Sequence, residues 1–204
     1  MLKTYQTCPR KFYFQYVEKI NVPRSNKPFE KGKKIHALAN YLMQGINIDR
    51  LETDLTAQEK IIWQKLKENT YYQKSCFKSE FSLMCKIDKY WVGGRLDAIV
   101  YDQNDYYILD YKTGSMTYNP EYDYQTMVYL ICLDRYLKDY KSLQFVYIDL
   151  KNNKDNIIEF DPQKRIIYTQ KIQEICESIN NDKTYQCNIE NCQNCEYSKI
   201  CFKN

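Results

Sequence analysis

Between Tyr90 and Gly114 the chain reads YWVGGRLDAIVYDQNDYYILDYKTG, and no other stretch constrains the fold as tightly. Two runs rich in β-branched and aromatic residues, Tyr90–Tyr101 and Tyr106–Tyr111, flank the polar step Asp102-Gln103-Asn104-Asp105. Strand-like runs joined by so short a polar step read as a β-hairpin. With the turn centred on Gln103-Asn104, Asp102 faces Asp105, and counting back puts Asp97 opposite Asp110. The two-residue period of a strand then places Lys112 on the face of Asp110. Carboxylates directly across a strand pair repel each other. Something cationic must offset them, and a divalent metal with a neighbouring lysine would do so. The plainer alternative is a charged outer sheet face carrying unrelated acids. A bulge or an odd-length loop would break the register.

Around this hairpin the chain has room for one domain with small appendages, at 204 residues. Hydrophobic residues make up 44% and charged residues 27% of it, the balance of a soluble globular protein. No run is long and apolar enough to span a membrane, and no signal-peptide pattern opens the sequence, so a cytoplasmic protein is expected. The net charge of +4 permits a basic groove for nucleic acid without arguing for one. Nine cysteines, an odd number without a secretion signal, speak against a disulfide framework and for metal or cluster ligation by some of them.

Upstream of the hairpin, Thr7 is placed to cap a helix carrying Phe12, Tyr13 and Tyr16, and Cys8 precedes Pro9 where a helix cannot continue. A polar turn spans Asn21–Lys27 with Pro23 and Pro28 around it. Phe29–Gly45 then reads as a helix with Ile35, Leu38, Ala39 and Leu42 on its buried face and Gly32-x-x-x-His36, the only histidine, along it. Thr56-Ala57-Gln58-Glu59 is a capping box opening a helix to about Tyr71, with Ile61, Ile62 and Leu66 buried and Trp63 alongside. Lys74–Lys89 reads as a strand on which Glu80 is expected to be a solvated acid; Cys76 and Cys85 look structural.

Downstream, Pro120–Leu137 reads as a helix with Gln125 and Tyr129 one turn apart on one face. Leu143–Leu150 and Asn156–Phe160 read as strands. Asp161-Pro162 starts a helix to about Asn180, with Ile166, Ile167, Ile172 and Ile175 turned inward and Cys176 able to join them. The tail holds Cys187, Cys192, Cys195 and Cys201, and its C-x-x-C pair can bring two thiolates to one centre. A zinc knuckle using Cys187 as the fourth ligand needs no distant residue.

Taken together, Gly94-Arg95-Leu96-Asp97 and Ile108-Leu109-Asp110-Tyr111-Lys112-Thr113-Gly114 resemble the core of the RecB-like branch of the PD-(D/E)XK nucleases. Gly32-x-x-x-His36, Gln125-x-x-x-Tyr129, Cys8 and the cysteine tail follow in family order, as in CRISPR-associated exonucleases and AddB-type nuclease domains. Asp110 stands where glutamate is common. The resemblance implies an α/β fold, a restriction-endonuclease-like core with a mixed central sheet flanked by helices. It divides the chain into a helical part (1–75), a nuclease core (76–180) and a cluster-binding tail (181–204).

It further implies that His36, Asp97, Asp110 and the Tyr111 carbonyl hold Mg²⁺ or Mn²⁺. Lys112 would activate or orient water, and Gln125 and Tyr129 would hold substrate or the lysine. Related nucleases often have an acid in the strand of Glu80, which makes a supporting role the alternative to a solvated residue there. Cys8, Cys192, Cys195 and Cys201 would bind a [4Fe–4S] cluster in a lobe joining the N- and C-termini, with Cys187 a spectator. The implied substrate is DNA, single-stranded or with free ends, cut exonucleolytically. Implied partners are CRISPR integration proteins or a helicase. An assembly subunit with little nuclease activity, and a zinc-bound nucleic-acid module, are the other classes open.

Overall fold

The computed structural model describes residues 1–22, 27–114, 119–193 and 195–201, with the backbone alone described at 27–31. The turn expected at Asn21–Lys27 falls largely outside them. Chain packing forms two compact units, one of Met1–Ser25 with Gln170–Asn204 and the other of Asn26–Thr169. Among the described residues no helix is long and apolar enough to cross a membrane.

The larger unit is built on one five-stranded sheet in the order β1-β2-β3-β4-β5, where β1 is Ser75–Ile87, β2 Tyr90–Asp102, β3 Asp105–Lys112, β4 Ser142–Asp149 and β5 Lys154–Glu159. β1, β2 and β3 form an antiparallel meander, β4 runs parallel to β3, and β5 returns antiparallel. Parallel neighbours need a crossover element, and the helix between Tyr124 and Tyr136 supplies it. The hairpin register is the expected one: Asp102 pairs with Asp105, and Gln103 and Asn104 take φ of 47° and 74°, the left-handed pair of a type I′ turn.

Strand alternation sorts the core. Ala98, Val100, Leu109, Tyr111, Val146 and Ile148 pack with Ile35, Leu38, Ala39, Trp63 and Leu66 in one buried cluster. Those partners lie on the Lys27–Met43 and Ala57–Lys67 helices. On the other sheet face the 124–136 helix meets β4, with Tyr129 stacked near Phe145 and Thr126 bonded to the Tyr147 hydroxyl at 2.9 Å. Ile99, Ile108 and Phe145 are fully buried, each such side chain stabilising by about 1.5–3 kcal/mol. In chain order the helices are α1 (Leu2–Thr7), α2 (Pro9–Phe12), α3 (Lys27–Met43), α4 (Asp49–Thr53), α5 (Ala57–Lys67), α6 (Tyr124–Tyr136), α7 (Pro162–Asn181) and α8 (Ser198–Cys201).

Several expectations need correction. Thr7 closes α1 and bonds back to Lys3; the residue before Pro9, Cys8, heads α2 with no side-chain cap. The Thr56–Glu59 capping box is present, but Ile61 is 60% exposed because Trp63 and Leu66 set the buried face and Ile61 lies about 140° round from Leu66. Ile166 is 70% exposed for the same reason: Tyr168, Ile172 and Cys176, four residues apart, form the buried stripe of α7. Leu42 shares the period of Ile35 and Leu38 but occupies the last turn of α3, over an open depression beside Tyr72 and Lys74, and is 39% exposed. The helix after Pro120 begins later than expected: Pro120–Tyr122 is a 3₁₀ turn, and Asp123 caps α6 by accepting the Gln125 N–H at 2.9 Å.

Candidate active site

Paired backbone bonds between β2 and β3 end at Ala98 and Leu109. At the next step the Asp97 Oδ2 accepts the Tyr111 N–H at 3.1 Å, so the side chain continues the ladder where the backbone leaves it. His36, from α3, reaches this point from the neighbouring helix. Its Nδ1 lies 3.2 Å from Asp97 Oδ1 and its Nε2 lies 3.0 Å from the Tyr111 carbonyl. Burial works most strongly against protonating His36. The hydrogen bond and charge of Asp97, the charge of Asp110 and the Tyr111 carbonyl outweigh it and raise the imidazole pKa.

Asp110 is almost wholly buried. Its Oδ1 accepts from Gln125 Nε2 at 2.5 Å, and the Lys112 ammonium stands 2.6 Å from Oδ2. That contact is an ion pair without hydrogen-bond alignment, leaving Oδ2 with no aligned donor. Burial is the largest influence on Asp110 and pushes its pKa up to about 6, with Lys112 pulling down and the Asp97 charge pushing up. The two-residue spacing of Asp110 and Lys112 therefore does what the strand period requires. Gln125 sits two residues after the cap of α6, so the residue that starts the helix also fixes the group that orients Asp110.

Tyr129, one turn on, donates its hydroxyl to the Arg95 carbonyl at 2.8 Å and packs over Gly94. A Cβ on Gly94 would sit 2.6 Å from the Tyr129 ring. The glycine of G-x-x-D is thus required by a side chain from α6. Gly94→Ala should cost about 1–3 kcal/mol by overpacking and loosen Tyr129; an unchanged urea midpoint would contradict this contact.

Glu80, read from the sequence as a solvated strand acid in preference to a supporting role, stands at the site. The pairs Ser79–Ala98 and Phe81–Leu96 put Glu80 beside Asp97 across β1 and β2. Ligand atoms of His36, Glu80 and Asp97 lie within 4.8 Å of one another, the one such trio of metal-binding groups among the described residues. Asp110 stays outside that trio, held by Lys112 and Gln125. The signal was available: counting back from Ile87 opposite Tyr90 through the Asp88-Lys89 turn brings position 80 to 97. A cleft of about 730 Å³ opens over these groups, lined by Lys33, His36 and Tyr41 of α3, Glu80, Arg95 and Lys112–Gly114.

In the smaller unit, Cys8, Cys187, Cys192, Cys195 and Cys201 all line one cavity of about 110 Å³. Cys187 and Cys192 have sulfurs 3.5 Å apart, and Cys8 Sγ accepts the Asn188 N–H at 3.4 Å. No three cysteine sulfurs among the described residues come within 4.8 Å of one another. Cys187, expected to be a bystander, stands on the same wall as the four expected ligands. Cys85, read as structural, lies 3.2 Å from Cys132 in the core between β1 and α6.

A mixed sheet that sets Asp97 of β2 beside Asp110 and Lys112 at the end of β3, with a helix-borne histidine next to them, defines an α/β nuclease-like protein. The chain belongs to the PD-(D/E)XK nuclease superfamily, whose profile matches residues 1–202. The crystal structure of a candidate exonuclease from Eubacterium rectale is similar, with a TM-score of 0.59 over 98% of this chain and 86% of that one, at 11% identity. That likeness is one of fold. The crystal structure of SSO0001 aligns at a TM-score of 0.38 with 19% identity, over 61% of this chain and 59% of that one. A search of curated proteins gives no match.

Proposed function

We propose that this chain is a metal-dependent DNA nuclease that hydrolyses phosphodiester bonds, acting on single strands or DNA ends. The carrying observation is the meeting of His36, Asp97 and the Tyr111 carbonyl beside the buried Asp110–Lys112 pair. The donor set fits a divalent cation. It offers hard oxygens and one imidazole, which suits Mg²⁺ or Mn²⁺, and the buried Asp110 Oδ2 lacks an aligned donor. His36, Asp97, Asp110 and the Tyr111 carbonyl would hold the ion. When bound, it would lower the pKa of a water and offset phosphate charge.

The rest is protein chemistry. Gln125 fixes Asp110 by its bond to Oδ1. Lys112 carries its charge beside Asp110 at the mouth of the cleft, where it can orient the attacking water and neutralise charge growing on the phosphate. Tyr129, kept protonated because burial lifts its pKa to about 12, donates to the Arg95 carbonyl and so holds β2 in line. End-labelled single- and double-stranded DNA with Mn²⁺ tests the reading. Metal-dependent shortening from the ends supports it; no cleavage of either substrate overturns it.

The cysteine cavity is proposed as a [4Fe–4S] site with Cys8, Cys192, Cys195 and Cys201 as ligands, joining the N- and C-terminal segments. Sulfurs on one zinc ion, at about 2.3 Å each, would lie within about 4 Å of one another. The spread of these sulfurs around a cavity instead suits a larger inorganic core with four thiolate ligands. Anaerobically purified protein should be brown, absorbing near about 400 nm, and Cys8→Ala should lose most of that absorbance. Colourless protein containing zinc would contradict the cluster. By motif likeness, the setting proposed is CRISPR adaptation or DNA recombination and repair, beside integration proteins or a helicase.

A further inference from the structure

Glu80 and Arg95 form an ion pair at 2.5 Å between Arg95 Nε and Glu80 Oε2. Glu80 takes φ of 46° in the middle of β1, a left-handed conformation that strands do not use. Its carboxylate is one of the three groups that converge with His36 and Asp97. The Arg95 side chain is 64% exposed and lines the cleft, while its carbonyl is pinned by Tyr129. Beside them, the buried Asp110 Oδ2 has no aligned hydrogen-bond donor. One carboxylate, Glu80, is therefore shared between a guanidinium and a place that suits a cation.

We propose that Glu80 and Arg95 are an exchange pair: Glu80 becomes a further ligand of the divalent cation, and Arg95, so released, binds a phosphate of the DNA strand next to the scissile bond. This rests on the nuclease reading and deepens it. A doubly charged ion beside His36 and Asp97 attracts the Glu80 carboxylate and repels the guanidinium. The guanidinium has five donors in a planar fork, matched to a phosphodiester. Because Tyr129 fixes the backbone of residue 95, the exchange needs movement of side chains only. Metal and DNA must then bind cooperatively, each raising the affinity for the other by the same factor.

The test measures Mn²⁺ affinity by titration calorimetry, and binding of a hydrolysis-resistant phosphorothioate single strand by fluorescence anisotropy. Both are done for wild type, Glu80→Gln and Arg95→Gln. Glu80→Gln should weaken Mn²⁺ binding about tenfold or more, the cost of losing a ligand-sphere carboxylate. Arg95→Gln should do the reverse and tighten it about two- to fivefold, since the carboxylate no longer has an exposed ion pair to break. In saturating Mn²⁺, Arg95→Gln should weaken strand binding and reduce the salt slope by about 0.7, one phosphate contact; without Mn²⁺ it should change little.

Unchanged or weaker Mn²⁺ binding in Arg95→Gln would overturn the exchange, and so would unchanged Mn²⁺ binding in Glu80→Gln. The exposed Arg95 position tolerates substitution, so the sign of its effect stands even if Glu80→Gln folds poorly. Wild type that binds no Mn²⁺ and cuts no DNA would overturn the nuclease reading and the exchange with it. Wild type that binds Mn²⁺ and cuts, with Arg95→Gln indistinguishable from it, would overturn the exchange alone.

Discussion

Lys112→Ala should reduce the rate of DNA cleavage by about 10²–10³, the usual loss when one group stabilising transition-state charge is removed. Two consequences of one deletion combine. The cleft loses the cation at its mouth, and Asp110 loses the ammonium 2.6 Å from Oδ2. Without that charge the Asp110 carboxyl, already pushed up to about 6 by burial, must rise further, because the Asp97 charge that also raises it remains. At neutral pH more of it is then protonated and a poorer metal ligand. The variant should therefore recover activity partly as pH rises, which a single-turnover pH profile reads directly. Loss of activity without any shift in the profile would mean that Lys112 acts on substrate alone.

The second large effect is on stability without metal. The Asp110 pKa is about 6 in the fold against an ordinary 3.8, so the native state holds a proton that the unfolded state has released. The stabilisation is fully present below pH about 4 and is lost as pH rises through about 6. At about 1.4 kcal/mol per pKa unit the loss is roughly 3 kcal/mol. His36, whose pKa is also raised, adds in the same direction: its contribution is present below about pH 6.5 and is lost as pH rises through its folded value. For Asp110 about one pKa unit of this, roughly 1.4 kcal/mol, is lost between pH 5 and pH 8, so metal-free protein should melt roughly 3–6 °C lower at pH 8 than at pH 5. Saturating Mn²⁺ should restore most of the difference, since the ion replaces the proton as partner of these groups. Asp110→Asn should flatten the dependence. A metal-free melting temperature that rises over this range would contradict the assignment.

Much of the site could be read from the sequence because local chemistry dictates it. The Asp102–Asp105 turn fixes the register of β2 on β3, and a two-residue step then sets Lys112 beside Asp110. The capping box at Thr56 and the Asp161-Pro162 helix start are equally local. What was not legible depends on how distant elements meet. Glu80 looks like an ordinary strand acid until β1 is folded back through Asp88-Lys89 onto Asp97. Ile61 and Ile166 are apolar, but their helices bury other faces, and only packing against the sheet and its neighbours chooses the face. Cys187 could not be separated from its neighbours by spacing, and it shares their cavity. Gln125 and Tyr129 share a helix face as the four-residue period requires, yet their partners, Asp110 and the Arg95 carbonyl, belong to different strands.

The most direct test of the central claim is cleavage of an end-labelled single strand across a Mn²⁺ titration by wild type and Asp97→Ala. Asp97 bonds both His36 and the Tyr111 backbone, so its loss removes a proposed metal ligand and the bond that orients two others. Wild type should cut with saturable dependence on Mn²⁺, and Asp97→Ala should remain folded and be inactive at every concentration. Equal cleavage by the two proteins, or cleavage by wild type in excess chelator, would contradict a metal-dependent nuclease built on these residues.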